Sequence, residues 1–461
     1  MGGARQPRHP GDATGRPDVP RFPQTAVADA ANQVSRRRRG PLIGLIAAHT
    51  TSLTGNMLTL IALPLYVLAR TGSATATGIA GACATAPVII GGALGGVLVD
   101  RVGYRKASMT ADLVSGVTIG SVPLLEHAVG LPFWSLMLLV FCSGLLDTPG
   151  QTARSALLPE AAAVAHMPLE RAVGLFEASE RTARLVGAPV AGLLATLLGA
   201  LNVLIVDSAT FLTSGLLVRV LVPRLLRPHT DAWPGAPAAG AGYWSQFRDG
   251  LRVLVGDPLL RAVVALLLVT NLFDAAKSTV LLPVAADRHL GGATAFGVLV
   301  GATGGGALAG SLVFSVVGHR LPRRATFVTA FALVGAPPFL ALAVRLPLAA
   351  LVPLFVISGF AAGAVNPTIG ALKLERVPAG MRARVYGVIG AGAWLAMPLG
   401  SLGAGLAVAH VGLTATLVVI GVCYLLVTLT PLLGGPWREM STRPEPAVAV
   451  AVTPAPVSEP R

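Results

Sequence analysis

Gly96-Val-Leu-Val-Asp100-Arg101-Val-Gly103-Tyr-Arg105-Lys106 separates two apolar stretches, and its reading decides the fold. The stretch before it, 74–99, contains no charge, and the one after it, from Ala107, carries only Asp112 before Glu126. Each is long enough to cross a hydrocarbon core as an α-helix. Between them sits a tight turn with one acid and three bases, too short to be a domain. Charge concentrated in this way at an apolar boundary is the mark of a short cytoplasmic hairpin between two spanning helices.

Composition agrees. With 53% hydrophobic residues, 12% charged residues and a mean hydropathy of +0.71, the 461-residue chain has too little polar surface to cover a soluble globule. A formal charge of +14 and a pI near 11.0 raise the question of nucleic acid, but the 32 Arg and 3 Lys punctuate gaps between apolar runs and do not gather in one soluble module. No nucleic-acid partner is expected. Cys83, Cys142 and Cys423 lie inside apolar stretches with no CxxC or Cys/His spacing, so neither a disulfide framework nor a metal site is indicated.

Twelve apolar runs can be counted, at roughly 42–69, 75–99, 107–125, 133–150, 172–198, 201–222, 259–285, 294–317, 325–344, 348–371, 384–409 and 412–433. An even number puts both termini on one side of the membrane. Arg36–Arg39, Arg101/Arg105/Lys106, Arg154/Arg171, Arg224/Arg227/Arg248/Arg252, Arg320/Arg323/Arg324, Lys373/Arg376/Arg382/Arg384 and Arg438 fall in alternate gaps, whereas the opposite gaps hold only Arg70, Arg288 and Arg345. The positive-inside bias therefore places both ends in the cytoplasm. In the fifth run, Glu177 with Arg181 and Glu180 with Arg184 stand at i, i+4, where they can neutralise one another.

The expected organisation is a basic, Pro/Gly/Arg-rich tail over 1–40 without order, a six-helix half over 41–222, a cytoplasmic segment over 223–257, a second six-helix half over 258–435, and a disordered tail over 436–461. Within the connecting segment, His229 to Gly242 reads as a flexible linker. Trp244, Phe247, Leu251 and Leu254 then recur at helical spacing, as in an interfacial amphipathic helix. Sliding one half along the other at an offset of 219 aligns Leu63-Pro64 with Leu282-Pro283, Gly78 with Gly297, Gly91 with Gly310, Arg101 with Arg320, Arg105 with Arg324 and Pro159 with Pro378. A shared offset across several spans points to a parallel duplication, the plan of one large class of secondary transporters with a midplane cavity between the halves.

On these residues the chain resembles the major facilitator superfamily, and is similar to its bacterial macrolide-efflux-like branch. Gly96 to Lys106 matches the family's signature in the loop between the second and third helices at every diagnostic position. Ala62-Leu-Pro-Leu-Tyr66 with Thr71-Gly-Ser73, Leu281-Leu-Pro283, and Val377-Pro378 to Arg384-Val-Tyr-Gly387 resemble branch patterns. The resemblance covers about 40–435. It implies an all-α integral membrane protein of twelve helices in two parallel six-helix repeats, which exports amphipathic small molecules such as antibiotics by alternating access, with protons as the counter-substrate. It further implies that Gly96, Asp100, Arg101, Gly103, Arg105 and Lys106 latch the cytoplasmic side in the outward-facing state; their other reading is that they set topology alone. In the second half His319 and Pro322 replace Asp100 and Gly103, so a weaker latch is expected there. The family's fifth-helix antiporter signature is matched in part by Gly187-Ala-Pro189-Val-Ala-Gly192, where a Gly/Pro pair kinks or thins a helix.

Ionisable side chains inside spans are costly and mark candidate sites. Asp274 and Lys277, three apart on the seventh run and sharing a face with Asn271, either neutralise each other structurally or couple proton uptake to release of Lys277 or a cationic substrate. Asp112 is the next candidate, with Asn56 and Asn366 as neutral polar partners. Asp207, beside Ser208 and Thr210, reads as a packing residue, and Asp147 as a partner of Arg154. No Lys follows Gly as a P-loop requires, and neither HExxH nor a GxSxG elbow is present. No catalytic residue, metal or cofactor is therefore assigned, and a single chain with two packed halves is expected to function as a monomer. Two other functions fit the residues: a carrier or importer of a defined metabolite or siderophore, and a transport-inactive scaffold or sensor whose basic tails bind partners or anionic lipid.

Overall fold

The computed structural model describes residue 2 and residues 24–223, 243–377 and 381–440. Their secondary structure is helical. The first half comprises α1 (Gln24–Thr71), α2 (Ala74–Val102), α3 (Tyr104–Val129), α4 (Phe133–Ala156), the short α5 (Leu158–Val164), α6 (Leu169–Leu198) and α7 (Ala200–Leu221). After α8 (Tyr243–Gly256), the second half comprises α9 (Pro258–Ala276), α10 (Leu282–Ala285), α11 (Ala293–Val317), α12 (Arg323–Val334), α13 (Ala336–Ala343), α14 (Leu348–Arg376), α15 (Arg382–Leu395), α16 (Met397–Val411) and α17 (Leu413–Leu429). Twelve of the resulting helical stretches are long and apolar enough to cross a membrane.

Several boundaries differ from the sequence reading. α1 begins at Gln24, inside the tail expected to lack order, because Ala- and Arg-rich sequence favours helix once a spanning segment has nucleated it. At the other end, Gly435–Met440 form 3₁₀ turns and bury Trp437, whose ring lies 6.0 Å from that of Phe327, so 436–440, expected to lack order, are ordered; residues 441–461 lie outside the described residues. The seventh span continues from α9 to Leu290 through two π turns, Lys277–Leu281 and Ala286–Leu290, on either side of α10. The ninth divides at Gly335, before Pro337 and Pro338, and the eleventh at Ala396, before Pro398. The linker at 224–242 and Pro378 lie outside the described residues.

The hairpin at the opening motif needs a single residue. Gly103 ends α2 and begins α3 with φ of 88°, and its N–H donates to Val99 O at 2.8 Å. A side chain there would be strained, which is why the reversal falls on glycine. Arg105, one of the bases of this gap, folds back onto the first half. Its Nε and Nη2 each donate over 2.7 Å, to Val222 O and Arg219 O, covering carbonyls left open at the end of α7. Arg324, its counterpart at the 219 offset, does the same at the end of the second half, donating to Pro431 O and Leu432 O.

The strongest departure from the sequence reading is Arg154. Counted among basic loop residues, it lies in α4, fully enclosed, with 0% of its side chain exposed. Its Nη1 donates to Asp112 of α3 at 2.9 and 3.0 Å and approaches Ser108 Oγ at 3.3 Å, while Nη2 donates to Ser52 Oγ of α1 at 3.1 Å. Ser214 of α7 donates to the second Asp112 oxygen at 2.8 Å. Burying a guanidinium in an apolar bundle requires its charge to be met, and here the Asp112 carboxylate meets it while both terminal nitrogens are bonded and Nε is left without a partner. Arg154 therefore belongs to the core of the first half and adds nothing to the topology bias. Asp112→Asn should destabilise the folded protein by about 3–5 kcal/mol through the unpaired Arg154. Thermal unfolding of the purified protein in detergent checks this, with Lys106→Gln at the exposed Lys106 as a control that leaves stability unchanged.

Candidate functional site

Two seams join the halves. α6 packs on α11, and α2 packs on α16. In the first, a Cβ at Gly192 would stand 2.6 Å from Ala293 O and 2.9 Å from Gly297 Cα, and one at Gly297 would stand 2.7 Å from Ala188 O. In the second, a Cβ at Gly78 would stand 2.6 Å from Ser401 O, and one at Gly405 would stand 2.7 Å from Ala74 O. Backbone meets backbone at both places, so only glycine fits. Gly78 and Gly297 are duplicates at the 219 offset, and each serves one seam. Both contacts lie at the helix ends remote from Gly103 and Arg324, and Thr196 and Thr294 hydroxyls meet there at 2.7 Å.

The partial antiporter signature falls on the first seam. Gly192 makes the contact just described, the Pro189 ring fills the space over Gly301, and Gly187 faces Met57 of α1 at 2.9 Å from its would-be Cβ to Met57 Cβ. Further toward the basic end, Arg181 donates to Ser311 Oγ of α11 at 3.1 Å and so bridges the halves, where the sequence reading had paired it with Glu177. The other expected pair forms, with Arg184 Nη2 2.9 Å from Glu180. A helix face turned toward another helix offers a better partner than an exposed i, i+4 acid.

In the second half, Lys277 Nζ lies 2.8 Å from Asp274 Oδ1 and 5.4 Å from the Phe339 ring centroid. Tyr424 of α17, missed in the sequence because nothing in its own run marks it, donates to Asp274 Oδ2 at 3.3 Å. Side-chain exposures of 35% for Asp274 and 16% for Lys277 leave the pair within reach of a small molecule or water. It stands where α9 gives way to the first π turn, a helix irregularity that often accompanies function. Asn271 is not part of it, since its amide donates to Ala393 O of α15 at 2.9 Å. Asn366 is exposed on α14.

In the first half the remaining acids separate. Asn56 Nδ2 and Gln151 Nε2 donate to Asp147 Oδ2 at 3.0 and 2.8 Å, so Asp147 does not take Arg154, which Asp112 holds. Asp207, fully buried, accepts from Thr59 and, at 3.3 Å, from Thr210. Gly96 lies within α2, the side chains of Asp100 and Arg101 lie outside the described set, and Lys106 is exposed.

The sequence profile of the Major Facilitator Superfamily matches residues 45–307 and 264–458. The multidrug efflux pump Tap of Mycolicibacterium fortuitum is 30% identical over 417 residues, which is 90% of this chain and 100% of that protein. Its namesake in Mycobacterium tuberculosis is 29% identical over 411 residues, 88% of this chain and 96% of that one. Among solved structures, the nucleoside transporter NupG superposes with a TM-score of 0.68 at 11% identity, over 87% of this chain and 99% of that one. A D-xylose-proton symporter superposes at 0.59 with 16% identity, over 86% and 96%.

The seam predicts a cross-link. With the native cysteines replaced by Ser, Thr196→Cys with Thr294→Cys should oxidise to a disulfide that keeps the halves together after protease cleavage between residues 223 and 243. Adding Gly192→Val should lower the yield, as read on denaturing gels. Two duplicated six-helix halves, joined by paired glycine seams and matched to that profile along both, make this chain a multi-pass membrane transporter belonging to the Major Facilitator Superfamily.

Proposed function

We propose that the chain is a proton-coupled exporter of amphipathic small molecules, and that its basic end, with both termini, faces the cytoplasm of a bacterial cell. The observation that carries this reading is similarity to proteins named multidrug efflux pumps over 90% of this chain and the full length of one of them. The positive-inside distribution supports the orientation. Its solved neighbours include a nucleoside transporter and a sugar-proton symporter, so the fold serves more than one substrate class.

On this reading the glycine seams are the extracellular gate. Rocking the halves parts them while the cytoplasmic side closes, and Asp100, Arg101, Arg105 and Lys106 act at that closure together with Gly96 and Gly103. Asp274 takes up a proton, which weakens its ion pair with Lys277 and changes the charge offered to a cationic substrate. Only the difference in affinity between the two states is available to couple the fluxes.

Everted membrane vesicles with an acid interior test the reading. Wild-type protein should accumulate fluorescent dyes or antibiotics from a panel, an uncoupler should abolish the accumulation, and Asp274→Asn should remove it. Folded, inserted protein that moves none of the panel would favour a carrier with one defined substrate. Asp100→Asn should impair transport at normal expression and insertion; unchanged flux would reject its gating role.

A further inference from the structure

The first span carries four polar side chains on one face, at His49, Ser52, Asn56 and Thr59. Spacings of three, four and three residues keep them in line, and the row climbs about 15 Å, half of a hydrocarbon core. Each of them meets a neighbouring helix, and together they reach four, Ser52 also donating to Asp112 of α3 at 3.5 Å. Thr59 donates to Asp207 of α7, Asn56 to Asp147 of α4, and Ser52 accepts from Arg154 beside Asp112 of α3. His49, 2% exposed, stacks on Phe176 of α6 with centroids 3.9 Å apart. A bundle held together by packing alone has no use for such a row, because each polar group brought into it must find a partner.

Two features distinguish this face from structural glue. Among the described residues neither Asp207 nor Asp147 is bonded to a cation: hydroxyls hold the first and amides the second. These carboxyls can gain or lose a proton without breaking an ion pair, unlike Asp112. Moreover, Nδ1 and Nε2 of His49 are both buried without a hydrogen-bond partner, as is Asp147 Oδ1. One His49 nitrogen necessarily carries a proton, so an enclosed donor stands idle at the basic end of the row, a costly arrangement in one static state. The charged groups acting on the row are Asp147 toward Asp207, Arg154 and Asp112 toward Asp147, and Arg154 and Arg184 toward His49.

We propose that this face of α1 is a proton relay in the first half, separate from the Asp274–Lys277 pair: Asp207 and Asp147 bind and release protons, and His49 passes them at the basic end. The inference rests on the exporter reading and adds its proton route. α1 touches α3, α4, α6 and α7 through these same side chains, so loss or gain of a proton at any rung alters how α1 packs and can bias the rocking motion. Thr59, Asn56 and Ser52 donate to or accept from the acids and Arg154 and do not themselves titrate.

Purified full-length protein in liposomes, with ethidium as the probe, separates the possibilities. Counterflow of ethidium requires no net proton movement, whereas accumulation against its gradient does; for one-to-one exchange each pH unit is worth about tenfold in accumulation. Asp207→Asn should keep counterflow and lose gradient-driven accumulation together with the ethidium-induced alkalinisation of the acidic compartment. Retention of both by Asp207→Asn and by Asp147→Asn would overturn the relay and leave the exporter reading intact. Wild-type protein that performs counterflow without gradient-driven accumulation would remove proton coupling itself, and the relay with it. Infrared titration of the wild type beside a variant, which needs no ethidium, supplies a second readout. A carbonyl stretch of a protonated carboxyl should appear and vanish with pH and weaken in Asp207→Asn, or in Thr59→Val if Asp207→Asn fails to fold. A band that never titrates would show Asp207 to be a fixed packing group and sink the proposal.

Discussion

The first half is organised around one buried guanidinium. Arg154 on α4 reaches Asp112 and Ser108 on α3 and Ser52 on α1, and Ser214 on α7 completes the acid's shell. Four of the six spans are thereby fixed in rotation about their axes, since a charge left unpaired inside an apolar bundle would remain at great cost. Helix packing in lipid lacks the hydrophobic gain that orders a soluble core, so directional polar contacts and close backbone approach carry more of the specificity. Among the described residues the second half has no such buried pair at the corresponding place. It uses more exposed ion pairs near its basic end, Arg323 with Glu375 and Arg376 with Asp257 and Glu439.

The relation between the halves depends on the opposite kind of contact. Polar side chains lock helices within a half, whereas the two seams between halves rest on glycines that remove side chains altogether. A flat backbone contact gains dispersion energy over a short range and loses it quickly on separation. It breaks without stranding a charge. That difference suits a molecule whose halves stay rigid and whose interface opens, and it gives duplication a physical meaning: Gly78 and Gly297 close the two seams, and Arg105 and Arg324 cover the carbonyls that end each half.

Much of this was legible in the chain. The hairpin at Gly103 followed from charge between apolar runs, the number of spans from their lengths, and the duplication from a constant offset. Midspan ionisable residues were visible individually, and the Asp274–Lys277 contact followed from i, i+3 spacing on one turn. Their partners on other helices were not visible. Arg154 read as a loop residue because periodicity gives no depth, and Tyr424 gave no signal because its hydroxyl meets Asp274 across 150 positions of sequence. The 3-4-3 row on α1 was present in the sequence as a helix-period pattern, but four small polar residues among apolar ones also describe an ordinary helix face.

By itself, then, the sequence determined that the chain crosses a membrane twelve times, in two repeated halves with a basic end, because those properties are set by run length, local charge and repetition along one dimension. Tertiary structure alone decided which partner each ionisable group meets: Asp112 an arginine, Arg154, Asp147 amides, Asp207 hydroxyls, and Arg181 the Ser311 hydroxyl of the other half. The reason is geometric. A side chain on a helix surveys a full turn of neighbours, and which of them lies within about 3 Å depends on helix rotation and tilt, quantities that no spacing along the chain encodes.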